Sequence, residues 1–584
     1  MGKIFHNAFS PSERSRTLRQ LLREDWVLAS LVFLVSASHL IQFRGSLDTL
    51  GISDEASILN SIQRIHYGEL IYQDFFIFFP PLSFIILFFF VLPIFGMTFT
   101  VVRIFTAIQG GCIAFLTYII ARSLITRPLL ALFPPLLFIF FGFHYWNNAS
   151  HHWFGLPFLL SGLYCLQKYI QHPSRAYLVF LSGILGGLCL LSNQIDGVIF
   201  LVSGALFLFF RREMDTPHRF KDVFIFGTGM GACLAVFFIY AFFQGRMFQG
   251  YTSYISLIKA FGYDTLIWTV VAHRKWNALP QYFYFGNQII ADLFHSLFSP
   301  SSLMGFLLPF FGIFLLLLFG YAPFPALFFS AWTLISRRKK FREREQTMLL
   351  YFLTCLIFLL ATIMTRPDPI RLIFFSPITF VLFFTFLEKG LTIPLNSLLM
   401  IGRITQGVKA ICIFLLFVFG IATVGWGFSW AYSLSKDPRY EVKLPRGTVS
   451  FLDRRQAADF SSLVRFVNTH TKEGEYLYIH GYSPQYYFLL NRRNPISYDY
   501  LIPVYSTPTQ IAEGMSQIKT RNPKYVLYDG KVEALMKDPS KNIFPALTVE
   551  DLKDNPMVEY IHSHYRPIMK LSSLGLSILE RGSP

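Results

Sequence analysis

A chain of 584 residues that is 53% hydrophobic and 18% aromatic, with a mean hydropathy of +0.46, is too apolar for a soluble globular protein and too long for one domain. The net charge of +17 does not indicate nucleic-acid binding. Many of the lysines and arginines lie between apolar runs, where they orient membrane spans, and no basic stripe alternates with aromatic residues on a soluble segment. The composition therefore predicts a polytopic membrane protein.

The N-terminal stretch predicts a membrane span that is retained. Basic residues between Lys3 and Arg23 precede an apolar run from Trp26 to Phe43. A small-residue patch at 36–38 resembles a signal-peptidase site, but apolar sequence continues beyond it, which favours an uncleaved first span. The basic flank places the N-terminus inside the cell, so this span runs outward.

An adjacent acid pair, Asp54 and Glu55, follows the first span in a predicted outer loop at 44–97. Charge is costly at this depth, which makes both acids candidates for chemistry. Residues 80–95 begin with two prolines and are intensely apolar. Counting them as a span would put the next basic turn outside, so we predict a helix lying in the outer interface instead.

Apolar length and basic flanks predict about eleven spans, which alternate in direction. Segment 303–335 is longer than one span needs, but an odd number of crossings is required to place the basic run 337–340 inside, and we count one. The segment 244–300 is predicted to lie outside. After the first span, the predicted spans are 98–122, 129–143, one from Trp153 to Lys168, one ending at Ser192, one reaching Arg211, 223–243, 303–335, 348–364, one returning to Glu388, and 411–432.

All six cysteines lie in apolar segments without paired spacing or a histidine cluster, so they are interpreted as small core residues rather than as disulfides or metal ligands. After Asp437 the composition changes, which divides the chain into a transmembrane domain at 1–435 and a small α/β domain at 436–584. Its predicted strands are 475–480, 525–529, 566–571 and 576–580, and its predicted helices are 459–468 and 509–519.

Four polar turns are predicted to meet on the outer face, at 54–55, 147–152, 193–196 and 366–371. A carboxylate beside a lipid-accessible groove can accept a proton from an acceptor hydroxyl, while guanidinium groups hold a phosphate and stabilise it as it leaves. Such a site would transfer a group from a phospholipid-borne donor.

Each of these residues also has a structural interpretation. Ser53 and Asp54 could cap the following helix, with Glu55 favourable at its positive end. His151 and His152 are adjacent and cannot share one helix face as a zinc pair would, which favours packing at the interface. The arginines at 103, 366 and 371 could anchor span ends at lipid headgroups.

The first loop resembles a known family. An outward span, an acid pair, a Gly-x-x-x-Tyr-x-Asp segment (Gly68, Tyr72, Asp74), a proline pair before an interfacial helix and Arg103 near the start of the next span together resemble the GT-C-fold, polyprenyl-phosphate-dependent glycosyltransferases. That group includes protein O-mannosyltransferases and lipid A aminoarabinose transferases. The resemblance is most specific over 26–127 and moderate over 366–377, and 476–499 is similar to the C-terminal domain of bacterial members of uncharacterised specificity.

The resemblance implies a sugar donor carried on a polyprenyl phosphate and inversion at the anomeric centre. Asp54 matches the first-loop aspartate to which the family assigns acceptor activation, and Glu55 matches its partner, so both are predicted catalytic residues. Arg103 and Arg371 occupy positions where similar sequences have basic residues.

The chain also departs from the aminoarabinose transferases, which have a lysine where Phe79 stands, an acid in the second outer loop and a lysine near 193–194. Phosphate contacts are therefore expected from other residues. A divalent metal is possible, but only Asp54 and Glu55 are firm oxygen ligands, too few for a dedicated cage, so no metal ligand is assigned. The predicted substrate-binding residues are Arg64, Arg103, Asn148, His151, His152, Arg274, Lys275, Arg366 and Arg371.

The leading hypothesis is a glycosyltransferase of the bacterial inner membrane, with a cytoplasmic N-terminus and a periplasmic C-terminal domain. Its partners would be a polyprenyl-phosphate sugar donor, membrane lipids and a lipid A or core saccharide, other glycan or protein acceptor. The alternative is a transporter or flippase of lipid-linked saccharide, for which an internal repeat and mid-span polar residues are expected and neither is clear in this sequence. A membrane scaffold would leave the converging polar turns unexplained. The sequence does not identify the sugar or the acceptor.

Overall fold

The protein is mostly helical. Its structure is a computed structural model. It describes residues 11–47, 54–243 apart from 72, 78, 144–145 and 212–215, 317–336, 342–365, 369–392, short runs between 407 and 425, 439–530 apart from 482, 502–505 and 507, and 556–582. Among these residues, five helices are long and apolar enough to cross a membrane: Phe99–Leu124, His218–Ile239, Leu318–Ser336, Glu343–Ile363 and Leu372–Gly390. Several shorter apolar helices accompany them, so the count of about eleven spans stays a prediction.

Where the structure describes the chain, the helices follow the predicted spans, whereas segment 244–300, the first part of 303–335 and most of 411–432 lie outside the described residues. In chain order the helices of the bundle are α1 Pro11–Ile41, α2 Asp54–His66, α3 Leu82–Ile86, α4 Leu92–Phe95, α5 Phe99–Leu124, α6 Pro128–Ala131, α7 Phe133–Leu137, α8 His151–Gln171, α9 Tyr177–Ser192, α10 Gln194–Phe210, α11 Thr216–Phe243, α12 Pro323–Ser336, α13 Glu343–Thr365 and α14 Ser376–Thr392. Turns of π-helix join α3 to α4 and extend α7 to Phe143, and a 3₁₀-helix, Pro369–Phe375, precedes α14.

The helix ends predicted to lie inside come together at one end of the bundle. Arg122 Nε at the end of α5 lies 2.7 Å from Asp25 Oδ1 of α1. The Thr126 amide, just after α5, donates to the Glu388 carboxylate of α14 at 2.9 Å, and Arg344 Nη2 of α13 lies 3.5 Å from the same carboxylate. The alternating direction predicted for these helices is therefore observed.

Small residues let α5 pack closely against α1. A Cβ atom on Gly110 would lie 2.3 Å from Leu40 Cδ1, and one on Gly111 would lie 2.9 Å from the Phe33 ring. Such close backbone approach is typical of helices that pack in a membrane. At its other end, α5 begins at Thr98, whose Oγ1 accepts from the Val101 amide at 3.3 Å and so caps the helix.

The apolar segment predicted to lie at the interface forms a broken helix from 82 to 95 rather than a straight span. Its end exposes Phe90, Ile94 and Phe95, each at more than 60% of the full side-chain surface. An exposed apolar end on a short helix is what insertion into a membrane interface requires.

Residues 439–582, here called the C-terminal unit, combine two sheets with helices. A hairpin, β1 Tyr440–Leu444 and β2 Gly447–Phe451, precedes a four-stranded sheet in the order β3-β4-β6-β5, in which β3 and β4 are parallel and the other pairs antiparallel. The four strands predicted from sequence are confirmed, and the hairpin was missed. The remaining elements are α15 Arg454–His470, β3 Tyr478–His480, α16 Gln485–Leu489, α17 Pro508–Arg521, β4 Tyr525–Asp529, α18 Pro556–His564, β5 Tyr565–Leu571 and β6 Leu576–Arg581.

The C-terminal unit shares a hydrophobic core with the first loop. Buried residues of α2, of the broken helix 82–95 and of the start of α5 pack in one cluster with β1, β2, α15 and α16. A second cluster, formed by α17, α18 and the far face of the larger sheet, belongs to the C-terminal unit alone. The chain around 435 therefore does not separate two independent cores.

Candidate functional site

Helix α2 carries both predicted catalytic acids in its first turn. Carboxylates are favourable there because the unpaired amides of a helix N-terminus are electropositive. The helix ends at His66, and Gly68 in the turn that follows has a φ of +81°, the left-handed conformation common just after a helix. All residues from Glu55 to Arg64 are buried, so α2 is an interior helix. Only its N-terminal residue, Asp54, is partly exposed at this end of the helix.

Glu55 is held in a buried ion pair with Arg103. Arg103 Nε lies 2.7 Å from Glu55 Oε1, Nη2 donates to Oε2 at 2.8 Å, and both side chains are less than 5% exposed. The Ala149 amide also donates to Glu55 Oε1, at 3.0 Å. The guanidinium is further occupied by the carbonyl oxygens of Ser46 and Asn147.

This arrangement revises two predicted roles. Arg103, predicted to contact a phosphate, has its donors directed at Glu55 and backbone carbonyls, and it stacks against the Phe99 ring at 5.1 Å. Glu55, predicted to be catalytic, is committed to Arg103. In this conformation both residues fix the start of α2 against α5 and the turn before α8.

Asp54 is the more accessible acid of the pair, with 18% of its side chain exposed. Ser150 Oγ donates to Asp54 Oδ2 at 2.5 Å, and His151 Nδ1 lies 3.4 Å from the same oxygen. Ser150 also accepts from the His152 amide at 3.3 Å and so caps α8. One serine therefore links the start of α8 to the carboxylate at the start of α2.

The two histidines lie in a stack of four rings. Phe79 stacks on His151 with centroids 4.8 Å apart, His151 lies 4.3 Å from His152, and His152 stacks on Phe374 at 3.8 Å. Phe79 comes from the loop before α3, and Phe374 comes from the 3₁₀-helix that begins within the 366–371 turn. The stack therefore joins the second polar turn to the first outer loop and to the helix of the fourth turn.

The third polar turn reaches the site through His152. Asn193 Oδ1 caps α10 by accepting from the amides of Ile195 and Asp196, at 3.0 and 3.3 Å. Its Nδ2 then faces His152 Nδ1 at 2.6 Å. An amide nitrogen only donates, so Nδ1 is an acceptor and the proton of the neutral ring is on Nε2. The buried Asp196 carboxylate lies 3.6 Å from the same Nδ1.

Removal of the Asn193 side chain is expected to cost about 1 kcal/mol of helix capping and to release His152 from its fixed tautomer. Thermal unfolding of Asn193→Ala should therefore match that of Thr98→Ala, which removes a cap from α5, while its activity should fall further. Equal activity of the two variants would contradict a role for Asn193 in orienting His152.

The site contains a set of potential metal ligands that sequence reasoning did not assign. One ligand atom each from Asp54, His151 and His152 lie within 4.8 Å of one another. The adjacent histidines need not share a helix face, because both lie at the very start of α8 and the third ligand comes from α2. One carboxylate oxygen and two imidazole nitrogens form a donor set that suits a catalytic zinc or a similar divalent cation. To act as a ligand, His152 would have to give up its contact with Asn193 or move its proton, because Nδ1 accepts from Asn193 here.

The other predicted residues are distributed as follows. Asn148 lies beside the site in the turn before α8 and is buried. Arg64 does not join the site: it lies ten residues beyond Asp54, about 15 Å along α2, where it donates to Glu69 and to carbonyls of the C-terminal unit. Arg274, Lys275, Arg366 and the side chain of Arg371 fall outside the described residues, as does Ser53.

Three contributors were missed from sequence. Ser150 received no role, although a serine just before a helical run is a capping signal. Phe79 was considered only as the residue that replaces a lysine of the aminoarabinose transferases. Nothing in the sequence distinguishes Phe374 from the other phenylalanines, of which the chain has 67 in all.

No family model and no curated protein matches this chain. Among solved structures, the chain is similar to an Archaeoglobus fulgidus oligosaccharyltransferase in complex with Zn and sulfate, with 13% identity over 91% of this chain and 71% of that one and a TM-score of 0.48. It is also similar to ArnT from Cupriavidus metallidurans bound to undecaprenyl phosphate, with 10% identity over 96% and 98% and a TM-score of 0.46.

A more partial likeness is to the S. cerevisiae protein O-mannosyltransferase Pmt1-Pmt2 complex bound to its sugar donor, with 16% identity over 38% of this chain and 34% of that one and a TM-score of 0.32. These proteins are GT-C-fold, polyprenyl-phosphate-dependent glycosyltransferases, the group that the first-loop sequence resembles.

Proposed function

We propose that this protein is an integral-membrane glycosyltransferase that moves a sugar from a polyprenyl-phosphate donor to a cell-envelope acceptor, with Asp54 as the general base. One observation carries the proposal. A partly exposed carboxylate, held by Ser150 and flanked by His151, lies at the end of an apolar bundle where residues from or next to four polar turns converge.

The reaction follows from the exposure of the two acids. The acceptor hydroxyl gives its proton to the Asp54 carboxylate as its oxygen forms a bond to C1 of the sugar, and the bond from C1 to the phosphate oxygen breaks to release the polyprenyl phosphate. Proton transfer to a positioned carboxylate contributes about 10²–10⁴-fold to a rate. The hydrogen bond from Ser150 to Oδ2 fixes the orientation of the Asp54 carboxylate.

Arg371 is the proposed contact for the departing phosphate. It lies three residues before Phe374 in the 3₁₀-helix 369–375, and Phe374 stacks on His152. An arginine guanidinium can hold phosphate oxygens in a bidentate manner.

Asp54, His151 and His152 are the residues that would hold a divalent cation, which would supply positive charge to the leaving phosphate. Purified protein is expected to bind Zn²⁺ or Mn²⁺, and His152→Ala should weaken that affinity by at least about tenfold. His172→Ala is the matched control, because His172 follows the C-terminal end of α8, far from His151 and His152. Equal calorimetric titrations of all three proteins would remove the cation from the proposal.

In this proposal the Asp54 end of the bundle and the C-terminal unit lie on the periplasmic side of a bacterial inner membrane. The Arg122 end lies on the cytoplasmic side. Excess lysine and arginine at the Arg122 end support this orientation. A periplasm-sensitive reporter fused after Asp437 is expected to be active outside the cytoplasm. A cytoplasmic signal at this position would reverse the topology and place Asp54 on the wrong face.

The proposed function is tested by deleting the gene and measuring lipid extracts and envelope molecules by mass spectrometry. The expected result is loss of one hexose, pentose or amino-sugar increment from a glycolipid, glycan or glycoprotein, with accumulation of the polyprenyl-phosphate sugar. Unchanged envelope spectra in cells that normally express the gene would contradict the proposal.

A further inference from the structure

Helix α2, which presents Asp54, is enclosed by the C-terminal unit along most of its length. Helix α16 packs against it, and the apolar face formed by Ile58, Leu59 and Ile62 is fully buried in the core shared with that unit. The remaining polar face makes hydrogen bonds to the C-terminal unit at successive turns. The position of Asp54 therefore depends on a part of the chain more than four hundred residues away.

The central polar contact joins Asn60 to Asp499. Asn60 Nδ2 donates to Asp499 Oδ1 at 2.7 Å, and both residues are buried. Burial raises the pKa of the Asp499 carboxyl, and the neighbouring Ser57 hydroxyl, the Arg64 charge and the Asn60 amide act to lower it. A buried carboxylate aimed at a helix is costly unless its partners are in place, so the contact specifies one position for α2.

The end of α2 is held by a second group of contacts. Gln63 Nε2 donates to Asn491 Oδ1 at 2.9 Å, and the Tyr67 hydroxyl donates to the same oxygen at 2.9 Å. Arg64 donates to the carbonyl oxygens of Ile496 and Tyr498. Together with Asn60 these residues fix the rotation of the helix as well as its position.

The start of α2 is fixed differently, by the ion pair between Glu55 and Arg103. Six residues, about 9 Å of helix, separate Asp54 from Asn60. A helix is stiff over this length, so a shift at Asn60 is transmitted to Asp54. A misplacement of about 1 Å at a reacting group can cost about 100-fold in rate.

We propose that the C-terminal unit acts as a clamp on α2 and that Asp499 is its positioning residue, which sets the place of Asp54 without contacting the substrate. This inference rests on the proposed function, because it assigns the positioning to the reaction of Asp54. It gives the C-terminal unit a role in the chemistry itself, in addition to any role in acceptor binding.

The test exchanges the two partners in the full-length protein. Asn60→Asp places two carboxylates against each other in the buried contact. The double variant Asn60→Asp with Asp499→Asn restores an amide and a carboxylate with their roles reversed. Asp529→Asn is the matched control, because Asp529 is an equally buried carboxylate of the C-terminal unit that pairs with Ser483.

Hydrogen exchange measured by mass spectrometry and sugar transfer are the two readouts. Asn60→Asp is expected to raise amide exchange in 54–66 by about tenfold or more, since each 1.4 kcal/mol of local stability is a factor of ten, with exchange in 99–124 unchanged. Transfer should fall by about 100-fold. The double variant should restore both, and Asp529→Asn should change neither.

Unchanged exchange in 54–66 for Asn60→Asp would overturn the clamp, and faster exchange with undiminished transfer would overturn the positioning role. If Asn60→Asp does not accumulate, the double variant tests the clamp alone. Failure of the double variant to fold would contradict the clamp, because the reversed pair restores the hydrogen bond. If gene deletion alters no envelope sugar, the proposed function fails while exchange still decides whether the clamp exists.

Discussion

Replacement of Asp54 by asparagine is expected to lower sugar transfer by about 10²–10⁴-fold while leaving the protein folded. Asparagine has the same shape, and its amide oxygen can still accept the hydrogen bond from Ser150, but it cannot take a proton at neutral pH. The side chain is partly exposed, so loss of its charge is expected to cost little stability. The measurement is the amount of sugar-modified product in a deletion strain that carries the variant gene.

Glu441→Gln is the matched control for that experiment, because Glu441 is an exposed acid on β1. It should support transfer at the wild-type level. The two variants should also show the same thermal unfolding in detergent. Retained turnover with Asp54→Asn would remove Asp54 as the base, and a large loss of folded protein would assign it a structural role instead.

Replacement of the neighbouring acid has a different expected result. Glu55→Ala should destabilise the protein by about 3–5 kcal/mol, because it leaves the Arg103 guanidinium buried without its counter-ion. Arg103 would retain only the carbonyl oxygens of Ser46 and Asn147. Reduced yield of folded protein and a lower unfolding temperature are the measurements.

A double-mutant cycle separates the ion pair from general damage to α2. Arg103→Ala should be destabilising by a similar amount, and the double variant should be less destabilised than the sum of the two single changes, with a coupling of about 0.5–3 kcal/mol. Additive effects would contradict the pairing. Coupled effects would assign Glu55 to stability, in contrast to the catalytic role proposed for the adjacent Asp54.

The convergence of polar turns could be predicted because it depends on local properties of the sequence. Apolar length identifies a membrane helix, and flanking charge gives its direction. Alternating directions then bring Asp54, His151 and Asn193 to one end without any knowledge of packing. The strands of the C-terminal unit were likewise predictable from alternation. The turn between the last two strands ends at Gly575, the glycine of the sequence Ser-Ser-Leu-Gly, which has a φ of +68°.

The partners of the charged residues could not be predicted, because a contact between distant segments leaves no local pattern. Arg103 lies near the start of a span in a position that suits an anchor or a phosphate ligand equally well, and only packing reveals that Glu55 neutralises it. Arg64 has a favourable position for a ligand in sequence, yet the C-terminal unit covers it.

The two histidines show the opposite error. Adjacent residues point in different directions on a regular helix, which argues against a shared ligand. At the first turn of α8 this argument does not hold, because Asp54 approaches from α2 and the rings lie between Phe79 and Phe374. The division of the chain at 435–436 stays a prediction, and the core that includes the first loop also contains residues of the C-terminal unit.

The most direct test of the central claim uses the solubilised protein with a lipid extract and envelope fraction from the deletion strain. In detergent there is no membrane to cross, so a flippase would change nothing, whereas a transferase acts on the accumulated donor. We expect mass spectrometry to show the missing sugar increment restored by the wild-type protein and not by Asp54→Asn. If intact cells regain the sugar with the wild-type gene but the solubilised protein never restores it, the account of Asp54 as the base of a glycosyl transfer is contradicted in favour of transport.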